Sequence, residues 1–405
     1  MKEKISITAI ESVSPLGSTL EETWKAYQNN EHYFSLMENN GSKSWVASLS
    51  PSSRIKVDEL RDYDSKYMKL DDSVLFAMMA SRMALEKSGW KKDAEFGINL
   101  GSSRGATNLF EQYHSEYLET GLASTLSSPT TTLGNISSWV SHDLGATGPE
   151  ISHSITCSTG LHAVLNGVAW LNSGMADKFL VGASEAPLTN FTIAQMKALK
   201  IYARIGQFDL KSVPDSLGNV HDEHCLKYPC QALNLKKEYN SMILGEGASV
   251  ACLEKGVVKN ALATIDGVGY ATEILKHNTS ISTNAECFQK SMKMALGDMD
   301  VSEVDAIVMH APGTIKGDMS EYRAIQKVFI DTRPYLTTNK WKLGHTFATS
   351  GMLNLELAVL MLQHNKLIPV PFMEQSANDG NLKKILVNAV GFGGNAVSVL
   401  VSKNE

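Results

Sequence analysis

The chain has 405 residues, of which 43% are hydrophobic and 20% are charged, so it can bury a sizeable core without a disulfide framework. A net charge of −6 and a pI near 6.0 exclude an overall basic surface of the kind that binds nucleic acid or anionic lipid. The composition also excludes a disordered chain.

The N-terminal residues Met1–Ile10 begin a strand-like alternation at once and lack the apolar segment of a signal peptide. No apolar run elsewhere reaches the ~20 residues that a membrane span needs. The five cysteines contain no CxxC pair and do not suit a secreted disulfide framework. We therefore expect a cytoplasmic protein without a nucleic-acid or membrane partner.

Apolar β-branched runs alternate with stretches of helical spacing, which is typical of α/β layering. In the first half, the expected strands and helix are Ile5–Ile10, the helix Asp72–Ser88, Phe96–Leu100, Ile151–Cys157, Phe179–Ala183 and Ala248–Leu253. In the second half, they are Ala263–Gly269, Ala306–His310, the helix Ser320–Phe329, Tyr335–Thr338, the helix Met352–His364, Ile385–Val390 and Val397–Val401. This order predicts two similar α/β halves, 1–255 and 256–405.

The segment Ile205–Leu233 is the least regular, because prolines, glycines and polar residues interrupt every period. It is expected to be a long loop. Its His221, His224, Cys225 and Cys230 have loose, overlapping spacings, so a solvated loop is favoured over a zinc site and no metal is expected.

Cys157 lies between the strand-like Ile151–Thr156 and a helix that begins near Leu161. The N–H groups and the dipole of a helix N-terminus stabilise a thiolate, which is the reactive form of cysteine. The alternative is a small buried core residue. Position alone leaves both open.

His310 ends a predicted strand, and His345 follows another within a loop that also carries Lys340. Strand ends are where ligand sites gather in open α/β sheets. Each histidine alone is as easily structural. Together with Cys157 they supply a nucleophile and donors for an enolate. Between them, Asp318 and Glu321 have the spacing of a capping box, which predicts that Asp318 caps a helix.

Near the C-terminus, Gly391, Phe392, Gly393 and Gly394 precede an apolar strand. A phosphate-binding loop is disfavoured, because neither Lys-Ser/Thr nor a helix follows. A tight hairpin that lets backbone approach a substrate fits better.

These residues, with Val13–Gly17, Asn135–Gly148, Val181–Glu185 and Leu244–Ala248, resemble the type I/II β-ketoacyl-ACP synthases over nearly the whole chain. The resemblance implies the five-layered αβαβα thiolase fold and a dimer. It places Cys157 on the acyl-accepting cysteine, Phe392 on the gating phenylalanine and Glu321 on the organising glutamate. It also places His310, Lys340 and His345 on the family's histidine and lysine positions.

Three departures from the family pattern affect substrate binding. His310-Ala-Pro-Gly-Thr314 keeps only Thr314 of the hydroxyl pair expected on the phosphopantetheine arm. Asn395 replaces a usual threonine after Gly393 and Gly394, and Met242 replaces an aromatic residue beside the acyl pocket. These changes favour a specialised polyene or polyketide-type lipid over bulk fatty-acid synthesis.

The expected function is decarboxylative condensation of a Cys157-bound acyl chain with malonyl-ACP, with no cofactor beyond the carrier's phosphopantetheine. The alternatives are a non-catalytic chain-length factor, which typically lacks the cysteine, and a thiolase or type III synthase acting on CoA esters. A homodimer or a heterodimer with a related synthase is expected, also from the apolar strand Phe179–Ala183.

A basic cluster precedes the helix at Asp72 in this otherwise acidic chain. It consists of Arg54, Lys56, Arg61, Lys66 and Lys69. Such a run is commonly a solvated face, but ACP is strongly acidic, so Arg61, Lys66 and Lys69 are candidate docking residues.

Overall fold

Two five-stranded sheets organise the chain in a computed structural model that describes residues 3–39, 41–90, 95–133, 135–205, 227–274, 281–376 and 380–404. The strands are β1 Ile5–Val13, β2 Ser35–Asn39, β3 Ser42–Ala47, β4 Gly97–Gly101, β5 Glu150–His153, β6 Lys178–Glu185, β7 Leu244–Gly245, β8 Gly247–Lys255, β9 Ala263–Thr272, β10 Ala306–Val308, β11 Tyr335–Thr337, β12 Lys384–Gly391 and β13 Asn395–Ser402. The first sheet has the order β1-β8-β6-β4-β5 and the second β11-β10-β12-β13-β9. A small third sheet joins β2, β3 and β7.

The α-helices fill the connections between strands. They are α1 Leu20–Gln28, α2 Pro51–Tyr63, α3 Asp72–Ser88, α4 Thr107–Thr120, α5 Ser127–Thr131, α6 Asn135–Leu144, α7 Thr159–Ser173, α8 Asn190–Ala198, α9 Glu286–Leu296, α10 Ile315–Val328, α11 Lys340–Leu343 and α12 Ser350–His364. Short 3₁₀ turns lie at Val301–Glu303 and Phe347–Thr349. In the part of the chain that is described, no helix combines the length and apolar character needed to cross a bilayer.

Three of the four hydrophobic clusters among the described residues lie between the helices and sheets and form five layers. Helices α7 and α12 lie between the two sheets, and the largely apolar α12 is buried from Ser350 to Leu362. Helices α3 and α6 cover the outer face of the first sheet. Helices α9 and α10 cover the outer face of the second. The layers are therefore helix, sheet, helix, sheet, helix, which confirms the expected αβαβα architecture.

Each large sheet takes its strands from one part of the sequence. The first sheet ends with β8 at Lys255, and the second begins with β9 at Ala263. We propose on this ground that the halves are 1–255 and 256–405.

Several sequence-based boundaries are wrong for identifiable reasons. The strand expected to reach Cys157 ends at His153, because Thr156 turns the backbone with φ 47°. Helix α10 begins at Ile315 with Thr314 as its cap, and the Thr314 hydroxyl accepts a hydrogen bond from the Gly317 N–H at 3.1 Å. Asp318 is not the cap, because it lies inside α10 and its carboxylate accepts the Gly313 and Leu233 N–H groups.

The apolar strand Phe179–Ala183 does not mark a subunit interface. It belongs to β6, which lies between β8 and β4 in the middle of the first sheet. Its apolar side chains are therefore explained by burial within the chain.

The irregular segment Ile205–Leu233 lies largely outside the described residues, as do His221, His224 and Cys225. Its described end is no solvated loop, because Tyr228, Cys230 and Leu233 are buried in the core beside the second sheet. Among the described residues no group of metal-binding side chains is found.

Candidate active site

Cys157 lies at a sharp turn between β5 and α7. Thr156, just before it, has a positive φ of 47°, which is costly for a β-branched residue. The turn is fixed by the Ser103 hydroxyl, which donates to the Thr156 carbonyl at 2.7 Å. The Thr156 hydroxyl donates to the Phe392 carbonyl at 3.3 Å and so joins the turn to the C-terminal hairpin. The strained turn therefore holds Cys157 next to Phe392.

The Cys157 side chain is 4% exposed, and this burial raises the pKa of the thiol to about 12. The negative charge of Glu185 raises this pKa further. The positive charge of Lys340 and the backbone N–H groups of Cys157 and Phe392 lower it. The backbone N–H of Cys157 thus favours the thiolate, but desolvation is the larger effect, so the resting side chain is the thiol.

The rings of His310 and His345 meet edge to face, with their centroids 5.3 Å apart. Burial and then the charge of Lys340 lower the pKa of both imidazoles well below the usual value, so both are neutral. The His345 Nδ1 atom accepts the Phe347 N–H at 3.2 Å and lies 2.8 Å from the Ser350 hydroxyl. His345 therefore carries its proton on Nε2. Nδ1 of His310 is buried without a hydrogen-bond partner among the described residues.

Glu321 holds the backbone of the His310 loop. Its carboxylate accepts the N–H groups of His310 and Ala311, each at 2.9 Å, and the Asn388 amide at 3.2 Å. Burial raises its pKa to about 7. Lys340 is fully buried nearby; burial lowers its pKa to about 8, and Glu321 opposes that shift. Its Nζ atom has no hydrogen-bond partner within the described ranges.

Asp318, one helical turn before Glu321, binds the same loop at a later residue, Gly313. Its carboxylate accepts the Gly313 N–H at 3.0 Å and the Leu233 N–H at 2.8 Å. Lys237 neutralises it with an Nζ–Oδ2 distance of 2.6 Å, and both side chains are almost fully buried. Two acids of α10 thus fix the loop that carries His310.

Cys157, His310 and His345 line one cleft, whose inner wall is mostly apolar. The apolar lining residues are Met196, Leu199, Ile201, Met242, Ile281, Phe288, Phe347, Val390 and Phe392. Polar groups at the same cleft are Asn240, Thr314 and Lys316. The cleft therefore combines a thiol, two neutral ring donors and room for an apolar chain.

Comparison with known proteins identifies the family. Residues 2–257 match the N-terminal domain of β-ketoacyl synthases and residues 262–373 match the C-terminal domain. The chain belongs to the β-ketoacyl synthase family. The 3-oxoacyl-[acyl-carrier-protein] synthase 2 of Coxiella burnetii is 26% identical over 436 aligned positions, which cover 99% of each chain.

Solved structures agree with this fold over the whole length. The ishigamide ketosynthase/chain length factor superposes with a TM-score of 0.82 at 18% identity and covers 100% of both chains. A second solved structure is a type II PKS acyl-carrier protein in complex with its ketosynthase. One chain of that complex superposes with a TM-score of 0.80 at 19% identity, and the match covers 99% of both chains. The synthase therefore has the thiolase-like fold that these ketosynthases share.

The remaining expected substrate residues of the synthase fall in two places. Thr314, Met242 and Phe392 line the cleft, and Met242 packs in the same cluster as Cys157. Gly393 and Asn395 lie in the β12–β13 hairpin behind it, where the Asn395 side chain accepts the Thr272 hydroxyl at 2.8 Å.

The basic cluster of the synthase is partly neutralised within the chain. Arg61 pairs with Asp72 and donates to the Leu70 carbonyl at 2.8 Å. Arg54 bridges Asp72 at 2.6 Å and Glu246 at 3.1 Å. Lys66 and Lys69 are exposed. The free positive charge of this surface is therefore smaller than the sequence indicates.

Three supporting residues of the synthase escaped sequence analysis. Glu185 is fully buried and accepts the N–H groups of Ser103 and, at 3.3 Å, Ala348. Lys237 sits in a Lys-Lys-Glu run that looks solvated, and Ser350 has no motif of its own. Only Glu185 could have been found from the sequence, because a charged residue at the end of the apolar β6 segment is expected to need a partner.

Proposed function

We propose that the synthase forms a carbon–carbon bond by decarboxylative condensation of an acyl chain on Cys157 with malonyl-ACP. The observation that carries the proposal is that one cleft joins Cys157 to two neutral histidines. The pathway is fatty-acid synthesis or a specialised polyene or polyketide-type lipid.

In the first step the Cys157 sulfur attacks the thioester carbon of acyl-ACP. The Cys157 proton leaves with the carrier's thiol, so acyl-ACP and thiol become acyl-enzyme and free carrier. Because the thiol's pKa is about 12, deprotonation accompanies the attack instead of preceding it. The N–H groups of Cys157 and Phe392, which already reach the sulfur, are the proposed donors to the developing oxyanion.

In the second step malonyl-ACP loses carbon dioxide, and its enolate carbon attacks the acyl carbonyl and expels the Cys157 thiolate. The growing negative charge falls on the malonyl thioester oxygen. The Nε2–H of His345 and a ring N–H of His310 are the proposed donors to that oxygen. Neutral rings suit this role, because they donate without forming a stable ion pair. Lys340 adds a positive field, and Glu321 keeps the His310 loop in place.

ACP is the proposed partner, and its phosphopantetheine arm brings in both substrates, so no further cofactor is invoked. A type II PKS ketosynthase solved with its acyl-carrier protein supports this choice. Thr314 at the cleft is proposed to bind the arm, and Lys66 and Lys69 are proposed to meet the acidic carrier. Because the four described cysteines are free thiols, a location in the cytoplasm also belongs to this proposal.

We also propose a dimer, either with itself or with a related synthase. Helix α4 and the segment after it expose apolar side chains that a lone chain leaves in water. They are Phe110, Tyr117, Leu118, Leu122 and Leu126, each at least 41% exposed. Strand β5 adds an open sheet edge. Light scattering should give twice the chain mass; an active monomer at micromolar concentration would refute this.

Intact-mass measurement with a panel of acyl-ACPs tests the condensation. Wild-type protein should gain one acyl mass, and Cys157→Ala should gain none while keeping its fold. Cys157→Gln should still release carbon dioxide from malonyl-ACP, because both histidines remain. Acylation of Cys157→Ala would overturn the nucleophile, and wild-type protein without acylation would favour the chain-length-factor alternative.

A further inference from the structure

Arg104 is a cation behind the cleft wall, and no acidic partner is found for it within the described part of the chain. It lies in the loop after β4, next to Ser103, and is half-buried. Its Nη2 atom donates to the Thr192 hydroxyl at 3.2 Å and to the Gln195 side-chain oxygen. Both partners are neutral. Among the described residues, no carboxylate forms an ion pair with it.

The nearest acid in this network is two hydroxyl groups away. The Thr192 hydroxyl lies 3.0 Å from that of Thr189, which in turn donates to Glu111 at 2.6 Å. Nη2 makes both described hydrogen bonds, so Nη1 and Nε have no partner within the described ranges. Nη1 lies on the Cδ side of the guanidinium and the Nε–H points to the opposite side, so each is available as a single donor. A carboxylate can pair with the cation through one of them by a charge-assisted hydrogen bond.

The guanidinium adjoins two residues that line the cleft. Its carbon lies 5.9 Å from the centre of the Phe347 ring, and Gln195 immediately precedes Met196 on α8. Met196 and Phe347 both face the space that holds Cys157. Met196 is an unbranched side chain that can move aside. A chain bound to Cys157 that displaces Met196 would approach Arg104.

We propose that Arg104 makes the acyl site selective for chains with a carboxylate at their far end. This inference rests on the proposed acyl transfer to Cys157 and names its substrate class. Burying a cation against an alkyl terminus costs free energy, whereas a terminal carboxylate supplies the missing anion. The acyl carbonyl would sit at Cys157 and the distal carboxylate beside the guanidinium of Arg104, within reach of Nη1 or Nε.

The test compares two ACP-bound chains of equal length, octanoyl and 7-carboxyheptanoyl, by the rate of mass gain on Cys157. Wild-type enzyme should load the carboxylated chain faster by about 10- to 100-fold, the range for a charged hydrogen bond. Arg104→Gln should lose this preference and load octanoyl faster, because an uncharged amide costs less beside an alkyl chain. Arg104→Lys should keep a reduced preference. Lys197→Gln, an exposed change on α8, the helix that carries Gln195, is the control and should behave as wild type.

Several results would overturn the proposal. Equal loading of both chains by wild-type enzyme removes the selectivity. If Arg104→Gln and Arg104→Lys slow the loading of both chains equally, Arg104 has only a structural role, connecting its loop to α8. If the Arg104 variants load longer chains faster whatever their end group, Arg104 only limits the length of the acyl site. If the variants lose the dimer, Arg104 is an interface residue. Absence of any loading in wild-type protein instead refutes the acyl transfer itself, so the two failures are distinguishable.

Discussion

Replacing Lys237 with methionine tests whether the buried pair with Asp318 holds the His310 loop. The change keeps the length of the side chain but leaves the Asp318 carboxylate, which is fully buried, without its cation. The N–H groups of Gly313 and Leu233 remain as its only described partners. Breaking one partner of a buried pair costs ~3–5 kcal/mol. That is a large part of the ~5–15 kcal/mol by which a typical domain is stable.

Urea unfolding should show Lys237→Met shifted to lower denaturant by this amount. Lys236→Met, one residue earlier and exposed, should change stability by less than about 0.5 kcal/mol. Lys237→Met with Asp318→Asn should recover part of the loss, because the uncharged amide no longer needs a cation. Decarboxylation of malonyl-ACP should fall with Lys237→Met under conditions where the protein is folded. If Lys237→Met and Lys236→Met unfold together and decarboxylate equally, Lys237 has no role in the loop.

Two further predictions concern a gate and a buried acid. Phe392 is 38% exposed between two glycines, and Phe392→Ala should raise unproductive malonyl decarboxylation relative to condensation; lower melting with an unchanged ratio would make its ring static filling. Burial raises the pKa of Glu356 from 4.5 to about 8, so its stabilising contribution is complete below pH 4.5 and is lost as pH rises through 8. By pH 7 this loss is on the order of 3 kcal/mol, so Glu356→Gln should flatten the stability profile between pH 4.5 and 8; an unchanged slope would contradict the shift.

The local sequence predicts the bounds of an element correctly where the residues that start and end it are adjacent to it. The helix Asp72–Ser88 matches its predicted bounds, because Asp71 caps its start and Gly89, with a positive φ, ends it. The types and positions of Cys157, His310 and His345 indicate a shared site, but their roles in it come from the resemblance. The resemblance supplied the five layers, which no single segment encodes.

The supporting contacts depend on residues far apart in sequence. Asp318 and Glu321 have the spacing of a capping box, and nothing local distinguishes that from two acids turned toward a loop. The deciding partner, Lys237, is 81 positions away from Asp318. The thiol of Cys157 shows the same limit, because its helix was visible in the sequence but its 4% exposure was not.

The site uses buried carboxylates chiefly to hold backbone and keeps its reacting groups uncharged. The Glu321 carboxylate accepts the N–H groups of His310 and Ala311. The Glu185 carboxylate accepts the N–H of Ser103, whose hydroxyl fixes the turn before Cys157. Each glutamate gives up solvation for backbone N–H groups, so burial raises both pKa values to about 7. The thiol and the two imidazoles are neutral in the same surroundings. The reacting groups therefore start uncharged, and the negative charge that develops on the thioester oxygens meets donors that are already in place and need no reorganisation.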